Sequence, residues 1–185
     1  MTLTALDLAH CAPDTLILTP NRRLSAWLVR DHDALMARNG LQSWPRLNAM
    51  PLDAWLQQLF ESLSLLLPAD NPVPRLLTPR QSALLWRQVI GQDDDPLPDV
   101  EGLVQLAQQA RALAFRWRWT AAQLAGGFTP EHARFAHWHD LYQARLRQEN
   151  LLDQPGLLQW ILEQPLLQRG ELTFPRTIFL HGFND

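Results

Sequence analysis

Apolar positions along the chain fall into short blocks, and the spacing within each block sets the element it predicts. Thr15-Leu16-Ile17-Leu18 is a β-branched apolar run bounded by Pro13-Asp14 and Thr19-Pro20, the pattern of a buried strand. A helix should begin at once, with Thr19 as N-cap and Pro20 in its first position. Leu24, Trp27, Leu28, Asp31 and Leu35 continue it at helical spacing, and Asn39-Gly40 stops it. Residues 44–50 fit a short second strand, and Pro51 starts a helix carrying Leu52, Trp55, Leu56, Leu59, Phe60 and Leu63.

The middle of the chain is helical throughout. Residues 68–74 are a loop by composition, after which Thr78-Pro79-Arg80-Gln81 is a capping box opening a helix to about Ile90. The acidic, proline-bearing stretch 91–99, with Asp93-Asp94-Asp95, reads as an exposed loop. Val100, Leu103, Val104, Ala107, Ala110, Ala114 and Trp117 form one apolar stripe of a long helix, and Thr120-Ala121-Ala122-Gln123 is a further capping box. Gly126-Gly127 breaks the pattern. Thr129-Pro130 then opens a helix with Phe135, Trp138, Tyr142 and Leu146 on one face, and a short helix fits 157–163. Thr177-Ile178-Phe179-Leu180 reads as another buried strand.

This order predicts a helix-rich α/β fold: a small parallel sheet from about 15–18, 45–50 and 177–181, with a helical subdomain inserted between its strands. The expected division is 1–66 with 171–185 as the α/β core and 67–170 as the insertion. A parallel sheet needs cover on both faces, so a sequence that stops straight after a buried-type strand is expected to be the first part of a larger protein.

Composition narrows the function more than the fold. The 185 residues carry a net charge of −3, so no global field draws nucleic acid to the chain. All 16 cations are arginine, which binds phosphate bidentately and stacks on rings, so local contacts with nucleic acid are open to it. Biased composition accounts for the same excess. The single cysteine, Cys11, the short apolar runs and the N-terminus without a basic leader read as a soluble, cytoplasmic protein with no membrane partner.

Candidate chemistry begins at the first strand-turn-helix, where a nucleotide-binding protein would place a glycine-rich loop ending in lysine. Thr19, Pro20, Asn21, Arg22 and Arg23 stand there instead: no glycine, no lysine, and a proline without an N–H. A helix N-terminus flanked by Arg22 and Arg23 attracts an anion only weakly. The closing strand ends with Asn184-Asp185, and one carboxylate does not build a Mg²⁺ site. His132, His137, His139 and Asp140 lack the i,i+4 spacing of a zinc helix and read as a surface helix with incidental histidines. Ser25, Ser43, Ser62, Ser64 and Ser82 lie in no nucleophile elbow. The residues thus argue against a working ATPase or nuclease within this chain, and no cofactor is expected. Arg116-Trp117-Arg118-Trp119 remains, alternating cations with rings as single-strand binders do. Trp117 also falls on an apolar stripe, so its periodicity alone places it in a core. Tryptophans 27, 44, 55, 86, 138 and 160 read as core as well.

Four stretches, ILTPNRRLSAWL, SWPRLNAMPLDAWLQQLF, LLTPRQSALLWRQVI and the run HWHDLYQARLRQENLLDQPGLLQWIL leading to TIFLHGFND, resemble the N-terminal helicase-like region of AddB-type proteins. The wider group couples a degenerate helicase-like half to a C-terminal nuclease half of the PD-(D/E)XK kind. The resemblance implies a P-loop, RecA-like sheet with a helical insertion, and an inactivated motor-like domain serving recombinational DNA repair. It implies single-stranded DNA and a helicase or nuclease subunit as partners. No catalytic residue, cofactor or metal carries over; Arg22, Arg23, Arg116 and Arg118 are the expected nucleic-acid contacts. The other reading the residues leave open is a protein-interaction scaffold that never touches DNA, favoured by the net negative charge and the acidic loop.

Overall fold

The computed structural model describes residues 14–68, 71–93, 97, 99–119, 123–124, 126, 129–170 and 172–183. Cys11, Asp94, Asp95, the capping residues 120–122, Gly127, Asn184 and Asp185 lie outside them. The described elements are β1 (Thr15–Thr19), α1 (Arg22–Arg38), β2 (Ala49–Pro51), α2 (Leu52–Leu66), β3 (Arg75–Leu76), α3 (Pro79–Ile90), α4 (Val100–Arg116), α5 (Pro130–Gln148), β4 (Leu151–Leu152), α6 (Gln154–Leu162), α7 (Pro165–Gln168) and β5 (Thr177–Leu180). The fold is helix-rich α/β with small parallel sheets.

The chain divides into two compact units, Met1–Leu65 with Gln164–Asp185, and Leu66–Glu163. The first is built on a three-stranded sheet of order β2-β1-β5, both pairings parallel. Every residue of β1 is buried, as its unbroken apolar run requires of a central strand. Ile17 pairs with Ala49 on one side and Phe179 on the other. Ile17, Leu28 of α1 and Leu47 form the core, with Val29, Ala49 and Phe179 packed against it.

Three local expectations change here. The second strand is Ala49–Pro51 rather than 45–50; residues 43–48 are irregular, Pro45 has no N–H for a ladder, and Pro51 closes the strand so that α2 starts at Leu52. Asn21, not Thr19, caps α1, its side chain accepting from Leu24 N at 3.0 Å. Thr19 is the last residue of β1 instead. Finally, β5 is not a buried strand: it is a sheet edge, with Ile178 38% and Leu180 65% exposed, because β1 pairs with it on one side only among the described residues.

The second unit has its own core of α3, α4 and α5 side chains. Trp86 and Tyr142, both fully buried, stack with ring centroids 4.1 Å apart, and Leu85, Val89, Ile90, Val104 and Trp138 surround them. The capping box of α3 is present: Thr78 accepts from Gln81 N, and the Gln81 side chain accepts from Thr78 N at 2.9 Å. A two-residue parallel ladder between β3 and β4 has no counterpart in the sequence reading. Strands this short give no detectable period. The helix read as 157–163 runs Gln154–Leu162, because Asp153 caps it.

Candidate nucleic-acid interface

The β1–α1 turn is closed by its own hydrogen bonds. The buried Thr19 hydroxyl donates to Asn21 O at 3.0 Å, Asn21 Oδ1 accepts from Leu24 N, and Asn21 O accepts from Ser25 N. The residues after β5 lie against this turn. His181 N donates to Leu18 O at 2.9 Å, and Gly182 has φ +78°. A Cβ at Gly182 would press on the Leu24 side chain, and the left-handed φ disfavours any L-residue, so glycine suits this close approach. Pro20 and Asn21 are the whole loop, and two residues, one lacking an N–H, cannot wrap a phosphate. Arg22 and Arg23 are both exposed at this helix start.

In the second unit the end of α4 differs from its periodicity. The helix closes in a Schellman motif: Arg118 N donates to Phe115 O at 3.1 Å and Trp119 N to Ala114 O at 2.9 Å. Arg118 therefore occupies the left-handed position, φ 52°, that usually belongs to glycine. The chain reverses here, and Trp117 leaves the apolar stripe, whose buried part is Val104, Ala107 and Ala114. Trp117 is 68% and Trp119 52% exposed, and Arg116 and Arg118 are exposed beside them. The expectation that Trp117 is core is thus overturned, and so is that for Trp27, which is 50% exposed. Trp86 and Trp138 are buried as expected, while Trp44, Trp55 and Trp160 are half-buried.

A polar cluster that the sequence did not single out lies inside the second unit. Arg111, on the buried face of α4, holds Asp153 through Nε to Oδ2 at 2.5 Å and Nη2 to Oδ1 at 3.1 Å. Its Nη1 donates to His139 Nε2 at 2.9 Å, and its guanidinium lies over the rings of Phe115 and Tyr142. Tyr142 donates to Asp153 at 3.4 Å and contacts Ser82 Oγ at 2.9 Å. Asp153 also caps α6 by accepting from Gly156 N. One charge pair thus ties α3, α4, α5 and the start of α6 together. A cavity of about 110 Å³ adjoins it, lined in part by Ser82, Gln108, Arg111 and Asp153.

Burial and the adjacent Arg111 charge hold the His139 imidazole well below its usual range, at about 4, so it is neutral at pH 7. Burial, with the Asp153 carboxylate second, pushes the Tyr142 hydroxyl above its usual value. His139 therefore departs from the expected surface position, while His132 and His137 are exposed. Among the described residues no group of three or more His, Cys, Asp or Glu side chains is placed to hold a metal. Nor is any helix among them long and apolar enough to cross a membrane. With Asp153 matched by Arg111, the cluster has the character of a structural lock.

Of the four expected contact arginines, Arg22 and Arg23 belong to the first unit and Arg116 and Arg118 to the second. No protein-family model matches the chain, and no curated protein matches it.

Proposed function

We propose that the chain is a non-catalytic, helicase-like domain of a DNA-repair nuclease system, and that its direct activity is to hold single-stranded DNA. The observation that carries the reading is the Arg116–Trp119 turn: two rings and two cations, all exposed, on a backbone fixed by two hydrogen bonds. Exposed indole faces accept unpaired bases, and arginines beside them neutralise the phosphates. The left-handed arginine adds support, since backbone strain of this kind is kept where a side chain must be aimed. The resemblance to AddB-type proteins supplies the biological setting, and a parallel sheet with β1 at its centre is compatible with a motor-like ancestor whose phosphate loop is reduced to Pro20-Asn21.

Fluorescence anisotropy of a labelled single strand tests this. Wild type should bind at low salt and weaken steeply as salt rises. Replacing Trp117 and Trp119 by Ala should weaken binding by about 1–3 kcal/mol per stacked base at any salt. Arg116→Ala with Arg118→Ala should flatten the salt dependence. Absence of binding by wild type at low salt would overturn the proposal.

A scaffold that docks a partner subunit is the second reading. It is favoured by apolar side chains left outside on α4, Leu106 61% and Leu113 48% exposed.

A further inference from the structure

We infer that helix α1 carries a second single-strand contact, in the first unit, formed by Arg23, Trp27, Arg30 and Arg38. It rests on the preceding reading for its ligand and on different residues for its evidence.

Positions 23, 27, 30 and 38 recur at i, i+4, i+7 and i+15, so they share one face of a helix. All four are exposed, and so are Ala26 and Ala34 between them. The three arginines stand about 10–12 Å apart along the axis at 1.5 Å per residue. Arg30 Nε donates to Ala26 O at 3.4 Å and Arg38 Nε to Ala34 O at 3.2 Å, so both side chains lie back along the helix.

Three arginines aligned beside an exposed indole set this face apart. In the second unit Arg87, Arg111, Arg134 and Arg145 each meet an acid, Glu101, Asp153, Asp93 and Glu149 in turn. Among the described residues Arg23, Arg30 and Arg38 meet none, as is also true of Arg80, Arg116, Arg118 and Arg147 in the second unit. Two half-buried acids, Asp31 and Asp33, border the face, the second also accepting from Trp44 Nε1 at 2.7 Å. Three positive charges against two, in a chain of net charge −3, leave a local cationic excess that a polyanion fits. The alanines let a backbone approach closely, and the half-exposed Trp27 offers a ring to one unpaired base. A phosphate chain bearing unpaired bases satisfies both features.

The test is anisotropy with a labelled single strand on the full chain, across a salt series. Each single-strand phosphate contact contributes a slope of about −0.7 in log K against log salt, so Arg23→Ala, Arg30→Ala and Arg38→Ala together should reduce the slope by about 2 and low-salt affinity by about tenfold. Trp27→Ala should lower affinity and leave the slope in place. Circular dichroism should stay unchanged, since the positions are exposed and alanine favours helix. If the triple variant binds with wild-type slope and affinity while the Trp117/Trp119 variant fails, the α1 contact is wrong and the earlier reading stands. If the α1 variants fail and the Trp117/Trp119 variant does not, the earlier site is wrong and this one stands. Displacement of the strand by poly-glutamate at equal charge concentration would make the strip a general polyanion contact and overturn the assignment.

Discussion

Arg111 shows what a single residue can hide from a linear reading. It sits among the alanines of the α4 stripe, between buried Ala107 and Ala114, where periodicity asks for an apolar side chain. A charge on such a stripe was the signal, and its partner, Asp153, was detectable only as a cap before Gln154-Pro155-Gly156. The pairing spans 42 residues of sequence, which no local pattern encodes. Removing either charge strands the other in the interior, so Arg111→Met and Asp153→Asn should each lower stability by about 3–5 kcal/mol. Asparagine caps helices as well as aspartate does, so the second change isolates the ion pair from the cap. Urea midpoints read both. His139 adds a pH dependence of definite sign. Its folded value, about 4, lies below the unfolded 6.5, so the unfolded chain binds the extra proton in between. Stability is complete above about pH 6.5 and falls with acid through that window, by up to about 3 kcal/mol near pH 4. Between pH 6.5 and 5, before most carboxylates titrate, His139→Gln should show a flatter midpoint curve than wild type.

Elements were legible in proportion to how much of their signal is local. The α3 capping box needs four consecutive residues, Thr78 to Gln81, and it forms as read. The central strand β1 was legible because an apolar run between two prolines has few other uses. Edge strands were not: β5 has the same kind of sequence, TIFL, and is largely exposed, since burial depends on neighbours the pattern does not contain. The α4 terminus failed in another way. Periodicity runs on to Trp117, but the Schellman hydrogen bonds turn the chain at Arg118, and no glycine marks the place. That conformation costs an L-residue about 1 kcal/mol or more, so Arg118→Gly should raise the thermal midpoint. The same change removes a cation and should weaken single-strand binding. A variant that is more stable and binds less would separate the strain from the contact it serves; one that gains stability with binding intact would show that Arg118 is not part of the interface.

For the molecule as a whole, the helical unit interrupts the sheet unit in sequence, between β2 and β5, and each keeps its own core. The class of fold followed from that order of strands and helices, which is a property of the entire sequence and survives errors at any one boundary. The two candidate contacts, one in each unit, were legible in part. Arg23, Arg116 and Arg118 stood out by charge and Trp119 by its alternation with them, whereas Trp27 and Trp117, which would also supply stacking, were assigned to the core by their helical period. The two kinds of evidence meet in one expectation about nucleotide. With Thr19, Asn21 and Ser25 already bonded to one another and Pro20 lacking an N–H, the β1–α1 turn keeps few donors for a triphosphate. Holding a strand should then be an equilibrium property, not a step in a hydrolytic cycle. Titrations of the labelled strand with and without Mg-ATP should superimpose within a factor of two. A several-fold change in affinity with Mg-ATP, or hydrolysis that survives repurification, would mean that the turn binds nucleotide after all and would overturn the non-catalytic reading.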